Sequence, residues 1–306
     1  MVSCEVSVVM PVYNARRYLS LAINSILQQT FSGFEFIIVN DGSSDESLKI
    51  LEKYAKKDKR ISIINQPNQG IAGALNNGIK ASKAKYIARM DADDISLPQR
   101  LELQFKYMEK HPDCAIVGSW VYFIDISGAI LKIYRPPCTH EEILIELQKG
   151  NGGAIIHPAA MFRKKTLLQV GGYLREYNYI EDYDVYTRIA DKGRLANLSD
   201  ILFKYRLTPT GINYSEGTKQ RRGMINELKN QFCLKRGVPP INHIEPLDAS
   251  NMTQSAMHRQ WAYFACEDEH WNVALKHALL SLIREPRGAE SWKCFNYVLK
   301  KKLGLK

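Results

Sequence analysis

Three aspartates stand within four positions of one another in the segment "RMDADDIS", directly after the apolar run "KYIA". They are Asp91, Asp93 and Asp94. Carboxylates held about 4–6 Å apart repel each other by roughly 3–4 kcal/mol at an effective dielectric constant near 20. Two explanations of the cluster are open: either the loop is fully solvated and the repulsion is screened, or a cation lies between the charges.

The aspartates follow the fourth of four short apolar segments, and each segment ends in polar residues. The segments are "CEVSVVMPV", "FEFIIVN", "RISIINQ" and "KYIARM", and helix-patterned stretches separate them. This alternation with short connections predicts an α/β fold with an open, mostly parallel sheet flanked by helices. Ligands of such sheets bind at the carboxyl ends of the strands. The polar residues there are therefore candidates for a ligand site, although ordinary turns use the same residue types.

The pattern changes after residue 113. "CAIVGSWVYFI" and "AILKIYR" predict two strands joined around Gly128, "GNGGAIIHPAAMFRK" is predicted to be irregular, and "EDYDVYTRI" predicts a helix with an acidic start. A further strand, "ILFKYRL", precedes a region that is helical from about residue 214. We therefore expect an α/β domain over residues 1–210 and a basic helical region over residues 211–306.

The type of ligand is narrowed by motifs that the sequence lacks. No G-x-G-x-x-G follows the first strand, and no G-x-x-x-x-G-K-[ST] occurs, so neither a Rossmann dinucleotide site nor a phosphate-binding P-loop is predicted. An EF-hand calcium loop also fails, because Ile95 and Ser96 stand where a ligand and a glycine are required. A hard divalent cation that bridges carboxylates and a diphosphate ligand fits what remains.

Several segments in a fixed order resemble family 2 of the nucleotide-sugar glycosyltransferases. They are "VVMPVYN", "VNDGSSDES", "YIARMDADDISLPQRL", "GSWVYFID", "HPAAMFRK", "VGGY", "EDYDVYTRI" and "KYR", and they cover about residues 5–206. The likeness is greatest to members that build bacterial exopolysaccharide, capsule or lipopolysaccharide chains. It implies a GT-A fold and transfer of a sugar from a nucleotide-diphosphate donor, with UDP favoured, to a hydroxyl of a glycan or lipid-linked acceptor. It also implies inversion at the anomeric carbon and a Mn²⁺ or Mg²⁺ cofactor.

The resemblance assigns the donor side of the site. Pro11, Tyr13 and Asn14 are expected to line the base and ribose pocket, and Asp41 is expected to accept a hydrogen bond from the base. One departure concerns Leu75, which stands where many relatives carry an arginine, so a basic contact to the nucleotide is either missing or replaced.

The metal and the acceptor are assigned in the same way. Asp91 and Asp93 form the D-x-D motif, with Asp93 expected to contact the metal directly and Asp91 to lie nearer the ribose. Asp94 is interpreted as structural: it either holds the loop or caps the next helix. Asp182 is expected to be the base that deprotonates the acceptor, and Glu181 to bind the acceptor or support the base, although acidic residues also favour helix N-termini in general.

Two further residues have both a functional and a structural interpretation. His157 lies in the glycine-rich stretch and either contacts substrate or is structural. Arg206 either meets the donor diphosphate or pairs with Asp200 or Glu176.

The overall charge of +10 is unevenly spread along the 306 residues. Residues 1–202 carry 25 basic and 23 acidic side chains, whereas residues 203–306 carry 17 and 9. The basic end, with Lys300, Lys301, Lys302 and Lys306, is either a membrane-surface contact or a solvated helix end. Six scattered cysteines without a C-x-x-C pair predict reduced thiols, and no apolar run reaches the roughly 20 residues that span a bilayer. A cytoplasmic protein is expected, and the membrane-surface alternative would place it peripherally on the inner face of the membrane.

Two alternative functions remain at this stage. A nucleotidyltransferase also uses carboxylates and a metal on an α/β sheet, but "PVYNARRYL" stands where its glycine- and arginine-rich loop is expected. A non-catalytic module that binds a nucleotide or a partner protein is the other alternative. Nucleic-acid binding is not expected, because no RNP, zinc or helix-turn-helix signature is present. The sugar, the acceptor, the linkage and the oligomeric state are not determined by the sequence.

Overall fold

The computed structural model describes residues 4–209, 218–241 and 252–305. The chain divides into two compact units, and it passes between them more than once. The first unit takes residues 1–121, 135–203 and 221–243, and the second takes residues 122–134, 204–220 and 244–306. The domain boundary near residue 210 stays a prediction.

The first unit is built on four parallel strands, as the apolar segments predicted. They are β1 (Val6–Val12), β2 (Phe34–Asp41), β3 (Ile61–Gln66) and β4 (Tyr86–Arg89). The register places Val8 beside Phe36 on one side and beside Ala88 on the other. These three residues are fully buried, which explains why the segments read as continuous apolar runs without alternation. The helices that follow them are α1 (Leu19–Leu27), α2 (Ser47–Ala55), α3 (Gly70–Ala81) and α4 (Arg100–Lys110).

The sheet continues with strands from the second half of the chain. The further elements are β5 (Ile95–Ser96), β6 (Cys114–Ile124), β7 (Ile130–Tyr134), α5 (His140–Gln148), β8 (Met161–Arg163), α6 (Lys164–Gln169), α7 (Glu181–Ile189) and β9 (Arg194–Arg206). Among the described strands the order is β3-β2-β1-β4-β8-β6-β9-β5, with β7 beside β6. The expectation of an α/β fold with a mostly parallel sheet is confirmed.

Strand β8 differs from the sequence prediction. The stretch predicted to be irregular contains this three-residue strand, which pairs antiparallel with β4 and β6 near the middle of the sheet. Three residues are too few to show a strand period in the sequence. Its place is fixed by long-range contacts, since the guanidinium of Arg163 donates to the carbonyls of Cys114 and Met108.

Helix α8 (Thr218–Lys235) belongs largely to the first unit. Leu228 and Phe232 pack into the same apolar core as Ile143 and Tyr183. At the end of α8, Lys235 and Arg236 form ion pairs with Asp191.

The second unit combines β7 with helices α9 (Gln254–Glu267), α10 (Trp271–Arg284) and α11 (Ala289–Lys302). Small buried side chains, such as Ala262, Ala274 and Cys294, lie where the helices approach one another. A buried aspartate, Asp125, accepts hydrogen bonds from His277 and Lys276 of α10, so the turn after β6 is tied to the helices by charge. Within the described ranges no helix combines the length and the apolar character that a membrane span requires.

Candidate active site

The loops after β1 and β2 are joined through Asn14. Its backbone lies in the left-handed region, with φ of 50°, which asparagine tolerates better than most residues. Its Oδ1 accepts from the backbone N of Ser44 at 2.8 Å, and its own backbone N donates to Oγ of Ser43 at 3.1 Å. Pro11 is half-buried in β1 and Tyr13 is exposed. The three residues predicted for the base and ribose therefore lie at the carboxyl end of β1.

Asp41 is the buried last residue of β2, and its carboxylate is held in one orientation. Oδ1 accepts from Nε2 of Gln66 at 2.7 Å and from the backbone N of Gln69 at 2.8 Å. Gln66 in turn accepts from Nδ2 of Asn77 at 2.6 Å, so helix α3 supports the arrangement. This chain of hydrogen bonds fixes Asp41 without any charged partner among these contacts.

The three aspartates after β4 form one cluster. Their ligand oxygens all lie within 4.8 Å of one another. Asp91 and Asp93 are half-buried, whereas Asp94 is fully buried. Helix α4 begins at Arg100, and its N-cap, Gln99, makes no side-chain cap bond. Three hard carboxylate oxygens at this spacing fit a divalent cation of the Mg²⁺ or Mn²⁺ type.

Sequence reasoning missed Arg89, the last residue of β4. Its side chain is buried and forms an ion pair with Asp91. Burial by itself lowers the pKa of the guanidinium, but the charge and hydrogen bond of Asp91, together with smaller contributions from Tyr173 and Glu181, outweigh burial, so the net pKa is raised and Arg89 stays charged. A signal was present in the sequence, since an arginine inside an otherwise apolar strand needs a buried anionic partner.

A second pair of carboxylates begins helix α7. Glu181 is buried and Asp182 is half-buried, and Oδ1 of Asp182 accepts from the backbone N of Tyr183 at 2.7 Å. Burial raises the pKa of both carboxyl groups, and for Glu181 the adjacent Asp182 charge adds to the effect. The charge of Arg89 lowers both pKa values in part, and the charge of Asp91 raises that of Glu181. The first unit thus brings the aspartate cluster and this pair into one electrostatic environment.

His157 lies beside this pair. Its Nε2 is 2.8 Å from the hydroxyl of Tyr173, and its Nδ1 is 3.9 Å from Oε1 of Glu181. Burial and the charge of Arg89 lower the pKa of the imidazole well below its usual value, so the ring is neutral. Oε2 of Glu181 is buried and has no hydrogen-bond partner among the residues that the structure describes.

The segment before α7 is anchored to helix α3. Asn76 makes two hydrogen bonds to the backbone of Tyr173: Nδ2 donates to its O at 2.7 Å, and Oδ1 accepts from its N at 3.0 Å. Arg175 donates from Nη2 to Oε1 of Gln69 at 2.7 Å, next to the support of Asp41. Leu75 is buried in the apolar core, so the helix face where relatives carry an arginine presents no cation. Arg175 is an exposed cation near this face.

The glycine-rich stretch and Arg206 complete the description. Gly152 in the glycine-rich stretch lies next to Asp182, since a Cβ built on it would be 3.7 Å from Oδ2 of Asp182. Arg206 is buried in the second unit, where its Nη1 donates to the carbonyl of Asp125 at 3.0 Å. Its contact with a diphosphate stays a prediction, and so do the roles assigned to the other site residues.

A mostly parallel α/β sheet, an acidic cluster after β4 and a second carboxylate pair at the start of α7 are the arrangement expected of a GT-A type nucleotide-sugar transferase. The chain belongs to glycosyl transferase family 2, whose family model matches residues 7–170. It is 40% identical over 222 residues to an uncharacterized glycosyltransferase, MJ1057, of Methanocaldococcus jannaschii, covering 71% of this chain and 75% of that protein. It is 38% identical over 206 residues to the O-antigen biosynthesis glycosyltransferase WbnJ of Escherichia coli, covering 66% and 79%.

Solved structures show the same fold at low identity. TarS 1–349 of S. aureus in complex with UDP-GlcNAc superimposes with a TM-score of 0.60 at 17% identity, covering 98% of this chain and 92% of that one. The mannosyltransferase PcManGT of Pyrobaculum calidifontis, in complex with GDP-Man and Mn²⁺, gives 0.57 at 14%, covering 98% and 86%. The predicted family and the predicted GT-A fold are confirmed.

Proposed function

We propose that this glycosyltransferase moves a sugar from a nucleoside diphosphate, with UDP favoured, to a hydroxyl of a glycan or lipid-linked acceptor in surface polysaccharide synthesis. One observation carries the proposal. The aspartate cluster and the Glu181–Asp182 pair lie in one unit. Arg89 forms an ion pair with Asp91 of the cluster, and its charge also lowers the pKa values of Glu181 and Asp182. The similarity to WbnJ supports the polysaccharide context, and the UDP-GlcNAc complex of TarS supports a nucleotide-sugar donor.

The donor would be contacted at its base and ribose and also at its diphosphate. Pro11, Tyr13 and Asn14 would contact the base and ribose, and the fixed carboxylate of Asp41 would accept from the base. Arg175, which bonds to Gln69 beside Asp41, would supply the cation that Leu75 does not. Bidentate donation to a phosphate is a geometry that arginine favours.

A divalent cation would be held by Asp93, with Asp91 as a second contact nearer the ribose. When bound, the cation neutralises charge on the leaving diphosphate as a Lewis acid. The PcManGT complex contains Mn²⁺, which supports this metal class.

Asp182 would act as the base. The pKa of Asp182 is raised, so it lies closer to neutral pH than the pKa of an ordinary aspartate. A pKa near the working pH suits a group that must accept a proton. The carboxylate takes the proton from the acceptor hydroxyl while the hydroxyl oxygen forms a bond to the anomeric carbon. The bond from that carbon to the diphosphate oxygen breaks on the opposite face, so the configuration inverts. Glu181, whose buried Oε2 has no partner among the described residues, would accept a hydrogen bond from the acceptor, and His157 would orient Glu181.

Thermal stabilisation tests the donor site. We would measure the melting temperature with UDP, GDP, dTDP and CDP, each with and without Mn²⁺. Ligand at 100 times its dissociation constant adds about 2.7 kcal/mol to the free energy of unfolding. A manganese-dependent shift with one nucleotide is expected in the wild type and in Asp200→Ala, which removes an exposed aspartate of the same unit. Loss of the shift in Asp93→Ala supports the site, and no shift with any nucleotide in the wild type contradicts the proposal.

Contact with an anionic membrane surface is proposed for helix α11. At 100° per residue one stripe of the helix is apolar and at least partly exposed. The stripe consists of Trp292, Phe295, Leu299 and Leu303. Lysines flank it on both sides: Lys293, Lys300 and Lys302. An apolar stripe between lysines is the pattern of an interfacial helix. Lys306 lies outside the described residues.

Vesicle binding tests this contact and a peripheral association with the membrane. Co-sedimentation with vesicles of phosphatidylglycerol, and weaker binding to phosphatidylcholine alone, is expected. Leu303→Ser should weaken the binding, whereas Leu21→Ser, at a similarly exposed leucine on α1, should not. Equal binding of the two variants, or none by the wild type, would contradict the proposal.

A further inference from the structure

The backbone of Arg89 is hydrogen-bonded on both of its sides. Its backbone N donates to the carbonyl of Ala160 at 2.9 Å, and its carbonyl accepts from Nη2 of Arg100 at 2.6 Å. Its side chain is 4% exposed, and Nε has no hydrogen-bond partner within the part of the chain that the structure describes. The guanidinium is thus buried beside Asp91 and is not turned to solvent.

The position of Arg89 reduces the negative charge and the number of free oxygens with which the aspartate cluster can bind a cation. Three carboxylates within 4.8 Å would by themselves form a strongly anionic site. The ion pair with Arg89 offsets one of these charges and occupies one oxygen of Asp91. Divalent-cation affinity of oxygen sites depends on the number of charged ligands. The cluster with Arg89 in place is therefore a weaker cation site than its three aspartates suggest.

We propose that Arg89 makes divalent-cation binding depend on the nucleotide diphosphate by keeping Asp91 from acting as a full metal ligand. Without the donor, the cluster holds the cation weakly. A bound diphosphate supplies the anionic oxygens that Asp91 withholds, so cation and donor bind together. Arg89 is thus a positioning residue, and the inference rests on the donor site proposed above.

The test is a Mn²⁺ titration followed by the electron paramagnetic resonance signal of the free ion, with and without UDP. The wild type should bind Mn²⁺ weakly alone and at least tenfold more tightly with UDP. Arg89→Leu should bind Mn²⁺ alone at least tenfold more tightly than the wild type, because Asp91 is released. Adding Asp91→Asn to this variant should remove the gain.

Matched controls separate this effect from a general loss of positive charge. Arg60→Leu removes an arginine of the same unit that pairs with Asp58, and it should leave the Mn²⁺ affinity unchanged. Arg89→Lys keeps the charge and should keep the weak, UDP-dependent binding. A gain in Arg60→Leu as large as that in Arg89→Leu would overturn the inference.

The remaining outcomes are also decisive. Unchanged nucleotide-free affinity in Arg89→Leu overturns the inference and leaves the proposed function standing, provided that UDP still promotes Mn²⁺ binding by the wild type. If no nucleoside diphosphate promotes Mn²⁺ binding by the wild type, the proposed metal-dependent donor site fails instead. If Arg89→Leu does not fold, the single variant Asp91→Asn is measured instead, with Arg89 in place. The inference expects less than a twofold change in nucleotide-free affinity, and a tenfold loss refutes it.

Discussion

Replacing Asp182 by asparagine should remove the proposed base while leaving the fold intact. The amide oxygen of asparagine can still accept from the backbone N of Tyr183, as Oδ1 of Asp182 does at 2.7 Å. The start of α7 should therefore be unchanged. Only the ability to take a proton is lost, and positioned general bases contribute about 10²–10⁴-fold to rate. We expect kcat to fall by this factor, which corresponds to about 3–5 kcal/mol in the activation free energy.

The assay does not require the acceptor to be known. Release of the nucleoside diphosphate from the nucleotide sugar can be followed with water as the acceptor, using the nucleotide class found by thermal stabilisation. Binding of nucleotide with Mn²⁺ should be retained in Asp182→Asn, which shows that the donor site is intact. Glu181→Gln is the matched control, since it alters the adjacent carboxyl group by the same change, and it should cost less in kcat.

Two results would refute this reasoning. If Asp182→Asn keeps more than a tenth of the wild-type rate while Glu181→Gln loses a thousandfold, the base is Glu181. If both variants stay within tenfold of the wild type, neither carboxyl group takes the proton.

Three further predictions concern pH and stability. Because burial raises the pKa of Asp182, the rate should fall on the acid side at a pH above the ordinary aspartate value near 4, and a pH–rate profile with its acid limb at or below pH 4 would contradict this. A carboxyl group with a raised folded-state pKa contributes stability below its unfolded pKa and loses that contribution as pH rises through the folded pKa, so Glu181→Gln should raise the melting temperature at pH 8 and not at pH 4. Asp125 is fully buried between Lys276 and His277, and Asp125→Ala should lower the free energy of unfolding of the second unit by about 3–5 kcal/mol in urea, because it leaves these partners without their anion. A cost below 1 kcal/mol would show that water replaces the aspartate.

The parallel sheet could be predicted from the amino-acid sequence. Segments such as "FEFIIVN" are apolar throughout because β2 is buried on both faces, and a strand of this kind is recognised without knowing its neighbours. The polar residues after each strand were likewise readable, since parallel strands bring their carboxyl ends to one edge. The D-x-D aspartates and the Glu181–Asp182 pair followed from ordered motifs.

How these residues act on one another depends on contacts between distant segments of the folded chain. The distance from His157 to Glu181 joins positions 24 residues apart in the sequence, and strand β8 depends on pairing with two distant strands. Local pattern carries no information about either, because both arise from packing between segments that are far apart along the chain.

Arg89 shows the same limit most plainly. Its place at the end of an apolar strand is visible in the sequence, and so is its spacing from Asp91. Side chains two apart on a regular strand share a face, but Asp91 lies just beyond β4, where this rule no longer fixes its direction. The ion pair, and with it the net charge of the cluster that a cation meets, depends on the path of the loop and on the hydrogen bonds that the backbone of Arg89 makes with Ala160 and with the side chain of Arg100.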